Sequence, residues 1–162
     1  MINQENIGEL AHSLAGDIYS YSKQALMAHS VRAVKEHLRK KYQMNHYAIV
    51  VNQSSEILTR YRRNSWVVFG ANSATIFVDQ SLGHDETRVC IAHELFHILF
   101  SFEPGVEPHR FRGRLMEDAC DVFANELCER HDAFYKDPTV IDTKCRFHNL
   151  PIYSIPRRDF TP

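Results

Sequence analysis

The chain has 162 residues and 18.9 kDa, the size of one domain able to bury a core without disulfide support. Its 44% hydrophobic and 24% charged residues match an ordinary globular protein and exclude a disordered or fibrous one. With 19 basic against 20 acidic residues and a net charge of -1, the total gives no support to nucleic-acid or anionic-lipid binding.

The opening MINQENIGELAHSL lacks the basic and apolar regions of a secretory signal, and no apolar run approaches the roughly 20 residues that span a bilayer. The expected location is the cytoplasm, with no membrane contact. Ile7, Leu10, Leu14 and Ile18 recur at helical spacing, and so do Met27, Val31, Val34 and Leu38, predicting two N-terminal helices. Gly16 and the YSYS stretch at 19–22 mark a break or a bend near their join. The cations Arg32, Lys35, Arg39, Lys40 and Lys41 read as a solvated face near a helix C-terminus.

From Tyr47 the pattern changes to short β-rich runs, YAIVV, ILTRY, WVVF and TIFVD, separated by Asn, Ser and Gly. These predict a small antiparallel sheet of three or four strands, with residues 66–69 and 75–79 forming a hairpin across FGANSA. The next segment, HDETRVCIAHELFHILFSF, reads as a buried helix with Asp85 as N-cap and Glu86 in its first turn. After the loop EPGVEPHRFRGR, a further helix is predicted over about 115–130, with Met116, Ala119, Phe123 and Leu127 on one stripe. The proline-containing end reads as an extended arm, and its final stretch, 149–162, is a candidate plug for a cleft. The fold class is α+β in a single domain over 1–162, divided into helices (1–44), sheet (45–80), two further helices (84–131) and arm (132–162).

The chemistry is concentrated in His93-Glu94-Leu95-Phe96-His97, an HExxH pattern. Two histidines four apart share a helical face, so both imidazoles can reach one Zn²⁺, and the intervening Glu94 can serve as general base of a metallopeptidase. Three polar groups in so apolar a helix would carry an uncompensated desolvation cost unless a metal or polar cleft receives them. The extended metzincin pattern is excluded, because Phe100 and Glu103 stand where it requires Gly and His. A tetrahedral catalytic ion needs a third protein ligand and one open position. Glu117 fits that role, and Asp121, one turn on, is placed to accept the free ring N–H of a ligand histidine. The loop residue His109 is the competing third ligand.

The other candidates are weaker. His109, Tyr135 and His148 are candidate donors to a developing oxyanion, among which spacing does not choose. Cys90, Cys120, Cys128 and Cys145 contain no CxxC pair and read as reduced thiols, mostly small core residues; Cys145 and His148 form an isolated CxxH. Exposed edge backbone of the TIFVD strand would align an extended substrate by strand addition.

The run TIFVD, RVCIAHELFHILF and EDACDVFANEL resembles the ImmA/IrrE metallopeptidase family over roughly residues 75–128, about a third of the chain. Glu117, Cys120, Asp121, Phe123 and Ala124 occupy the places of that family's later-helix motif. Phe96 replaces the usual small residue before the second histidine, where it would narrow the cleft or pack on the sheet. The end of the later helix, Leu127-Cys128-Glu129-Arg130, also departs from the family pattern.

The resemblance implies a zincin-like fold and a zinc endopeptidase acting on an intracellular protein such as a helix-turn-helix, DNA-binding repressor. The alternatives are a non-cleaving binding module of antirepressor or toxin–antitoxin type, and another minimal zincin such as a SprT-like protease. For the last, Arg110, Arg112 and Arg114 are the only encouragement. Oligomeric state is left open by the sequence.

Overall fold

The computed structural model describes residues 6–24, 30–54, 64–105 and 113–136. The first helix, α1 (Ile7–Gln24), buries Ile7, Ala11, Leu14, Ala15 and Ile18 along one stripe. It runs unbroken through Gly16 and into the YSYS stretch, so the join with α2 (Ser30–Tyr42) falls further along than those residues suggest. In α2, Ala33, Val34, His37 and Leu38 are buried, while Arg39 and Lys40 lie exposed beside Glu36 at 2.7 and 3.3 Å.

Among the described residues three strands follow, β1 (Ala48–Gln53), β2 (Ser65–Phe69) and β3 (Ser73–Val78), in the order β1-β3-β2. The hairpin of β2 with β3 is antiparallel, as the turn residues predict, and is closed by Gly70 N–H donating to the Ser73 carbonyl at 2.7 Å. The sheet as a whole is mixed rather than antiparallel, because β1 pairs with β3 in parallel. The hairpin occupies one side of β3, and β1 takes the other, extended by bonds from Ala48 N–H to Asn72 O and from Ser54 N–H to Val78 O. Strand β3 is therefore central and paired on both sides, and its backbone is not the edge that the sequence reading proposed for a substrate. The ILTRY run lies outside the described residues. Alternation is clean in β3, where Ala74, Ile76 and Val78 face the core and Ile76 stands between Val51 and Val67.

The helix α3 (His84–Phe100) starts after Gly83, not at Asp85. Gly83 is extended (φ -66°, ψ 167°), and its N–H donates to the Glu86 carboxylate at 3.1 Å, so an acid at the third helical position supplies the cap interaction. At the other end, Ser101 N–H reaches the carbonyls of the last turn. Helix α4 (Arg114–Lys136) follows Gly113, whose φ of +85° needs a residue without Cβ, and it extends beyond the predicted end. Its stripe of Met116, Ala119, Phe123 and Leu127 is buried.

Helix α1 lies along α4 and α2, and α3 packs against α4, α2 and the sheet. Phe96 sits against Phe100 at 5.9 Å and Phe123 at 5.4 Å between ring centres. It is thus a core contact between α3 and α4 and does not narrow a cleft. A second aromatic group, Tyr42, Phe102 and Tyr47, joins the ends of α2 and α3, where Glu103 accepts hydrogen bonds from Lys41 and Tyr42. The described part is a mixed α+β fold of four helices and one small sheet.

Candidate metal centre

The HExxH residues lie in the middle of α3. Leu95, Phe96, Ile98 and Leu99 are fully buried and fix the helix rotation, which leaves His93 and His97 half-buried on the side facing α4. Their rings are 5.4 Å apart, as one helical turn requires. Across from them α4 presents Glu117, Cys120 and Asp121, which share a face because they are three and four residues apart.

His93 is held from both ends. Its Nδ1 lies 2.8 Å from Asp121 Oδ1, and its Nε2 lies 3.3 Å from Glu117 Oε2. A proton on Nδ1 directed at Asp121 leaves the Nε2 lone pair for a metal, the usual role of a carboxylate behind a ligand histidine. Glu117 Oε1 is 3.9 Å from His97 Nε2. Donors bound to one tetrahedral ion at 2.0–2.1 Å stand about 3.3 Å apart. The His93–Glu117 spacing meets that value, and the half-exposed Glu117 side chain has room to close the wider gap to His97. Two imidazoles and a carboxylate are an ordinary donor set for a divalent ion, so these residues fit one.

Glu94 is oriented from the sheet. It is buried to 5% exposure, and one carboxylate oxygen accepts a hydrogen bond from Ser65 Oγ at 2.7 Å. Ser65 opens β2, so the strand that flanks α3 orients the motif glutamate. Ser65 is 29 positions from Glu94, and no local pattern in the sequence links the two.

Cys120 reads from the sequence as a core thiol within the later-helix motif. It is fully buried, but its Sγ lies 3.4 Å from His97 Nε2. Burial, reinforced by the negative charges of Glu117, Glu94 and Asp121, pushes its thiol far above the ordinary range, so without a metal it stays protonated. Its i,i+3 relation to Glu117 was the available signal. Cys90 is also pushed up, chiefly by burial, against a hydrogen bond from Ser65. Cys90, Cys120 and Cys128 are free thiols.

His109, His148, Cys145, Arg110 and Arg112 lie outside the described residues, as does the arm beyond residue 136. Tyr135 belongs to α4, but its side chain is not among those described. Among the described residues, no helix is long and apolar enough to cross a membrane. The chain matches no known family model, and comparison with characterised proteins and with solved structures finds no significant match.

Proposed function

We propose that the chain is a metal-dependent endopeptidase in which His93, His97 and Glu117 hold a divalent ion and Glu94 is the general base. The observation that carries this reading is the convergence of both motif histidines on Glu117, with Asp121 behind His93. Zinc is the first choice for two imidazoles and one carboxylate. When bound, the ion would polarise a peptide carbonyl and acidify water at its open position.

The chain's own groups perform the rest. Asp121 holds the His93 tautomer. Ser65 fixes the Glu94 carboxylate through one oxygen, and Glu94 takes the proton of the attacking water and hands it to the leaving amine. Apolar residues of α3 and α4 keep the histidine rings in place. The resemblance to ImmA/IrrE peptidases favours a cytoplasmic protein substrate, a helix-turn-helix repressor being the first candidate. Of the strands flanking β3, β2 carries Ser65 and contacts α3, which makes it the better guide for an extended substrate.

The test is Glu94→Gln, compared with the wild type after zinc loading on a library of unstructured peptides. Wild-type cleavage with a loss of at least about 10²-fold in the variant, at unchanged zinc content, is the expected result. Equal cleavage by both proteins would overturn the assignment of Glu94. Zinc-loaded wild type that cuts neither the library nor any candidate repressor would favour the non-cleaving binding module.

A further inference from the structure

Beside the three protein ligands proposed for the ion, α4 brings a fourth donor to the same place. Cys120 Sγ lies 3.4 Å from His97 Nε2, and one donor atom from each of His93, His97 and Cys120 falls within 4.8 Å of the others. A tetrahedral zinc ion with Zn–N near 2.05 Å and Zn–S near 2.3 Å sets nitrogen and sulfur about 3.5 Å apart. The observed separation is close to that value. Glu117 approaches the same histidine nitrogens from one turn earlier on the same helix face. A thiol needed only to fill the core had many positions along the buried stripe; this one is directed at a histidine edge.

We propose that Cys120 is a direct thiolate donor to the ion held by His93, His97 and Glu117, so that the resting centre is closed by four protein ligands. The inference rests on the metal-site reading above. Metal uptake would break the S–H bond of Cys120, form a metal–sulfur bond and release the proton to solvent, with no change in oxidation state. Water could then enter only when the thiolate leaves, which makes Cys120 a gate on the catalytic position. Closed sites are typical of structural zinc, whereas catalytic sites keep one position open. A displaceable fourth ligand lies between these limits and would tie activity to the state of a single thiol.

Cobalt(II) tests the idea without reference to activity, because thiolate ligation produces an intense near-ultraviolet charge-transfer band that nitrogen and oxygen ligands do not. The full-length chain, Cys120→Ser and Cys120→Ala would each be titrated with Co²⁺, and proton release on Zn²⁺ addition would be followed in weak buffer. The proposal expects the band in the wild type and its loss in both variants, which keep visible ligand-field bands and bind one ion per chain. It also expects about one proton fewer released by Cys120→Ala than by the wild type. Wild-type protein that binds one Co²⁺ with ligand-field bands but no charge-transfer band would overturn the thiolate and leave the three-ligand site intact. A band that persists in Cys120→Ser would assign it to another cysteine and overturn the proposal equally. Wild type that takes up neither metal would remove the metal site itself, and the thiolate proposal with it.

Discussion

His131 gives the fold a pH dependence whose sign and size follow from its surroundings. It sits on α4 at 7% exposure against the Tyr19 ring, 5.7 Å away between centres, and its Nε2 has no hydrogen-bond partner among the described residues. Burial lowers its pKa from 6.5 to about 4; the Arg88 charge acts in the same direction, against Asp132. The folded value lies below the unfolded one, so on acidification the unfolded chain takes up the proton first. Stability is therefore present above the unfolded value and is lost as pH falls through that interval. A gap that wide corresponds to about 3 kcal/mol in all, of which about 2 kcal/mol disappears between about pH 7 and pH 5. His131→Leu keeps a similar volume and removes the titrating ring. Urea unfolding followed by fluorescence of the single tryptophan, Trp66, would be run on both proteins at each pH. His37, whose pKa is also lowered by burial, and the carboxylates remain in both proteins, so the difference between the two pH slopes isolates His131. The wild type should lose about 2 kcal/mol more than the variant over this range. Parallel slopes would refute the argument.

Phe123→Ala removes a fully buried ring that meets Phe96 across the α3–α4 contact and should cost about 3–5 kcal/mol in chemical denaturation; a loss below about 1 kcal/mol would mean that the contact relaxes without a cavity. Asp121→Ala removes the acceptor from His93 Nδ1 and should weaken zinc binding by about 10–100-fold, measured by competition with a chromophoric chelator, while unfolding stability of the metal-free protein changes little. Unchanged affinity would show that Asp121 does not set the histidine tautomer. Glu86→Ala leaves the Gly83 N–H without its carboxylate partner and should destabilise the start of α3 by about 0.5–1 kcal/mol, read by denaturation; a neutral result would place that N–H in water at no cost.

That His93, His97, Glu117 and Asp121 meet between two helices is legible because helical spacing is a strong constraint. Once His93 and His97 are placed four apart in an apolar helix, their shared face follows. The stripe of Met116, Ala119, Phe123 and Leu127 then fixes which side of α4 turns inward, bringing Glu117 and Asp121 towards the motif. The β2–β3 hairpin was legible for a similar reason, since Gly70 and its neighbours supply the turn. Strand order was not. Alternation shows which face of a strand is apolar but not which neighbour it meets or in what direction, and the parallel β1–β3 pair depends on how the chain returns across the sheet.

Asp85 suits a cap by residue type, but the bond at the start of α3 is made by Glu86 reaching back to a glycine N–H. The sequence does not show Ser65 and Cys120 as neighbours of Glu94 and His97, for one shared reason. Their proximity to Glu94 and His97 is created by elements meeting in space, β2 against α3 and α4 against α3; no period encodes it for Ser65, and for Cys120 the trace in the sequence is its i,i+3 spacing from Glu117.

Whether His93, His97 and Glu117 hold a metal ion is decided by metal content. Wild type, His97→Ala and Glu117→Ala would be stripped, reloaded with zinc, dialysed and assayed for bound metal. A site built from His93, His97 and Glu117 predicts one zinc ion per wild-type chain and sharply weakened binding in both variants. Wild type that retains no zinc after reloading would contradict it, and so would Glu117→Ala protein that holds zinc as tightly as the wild type.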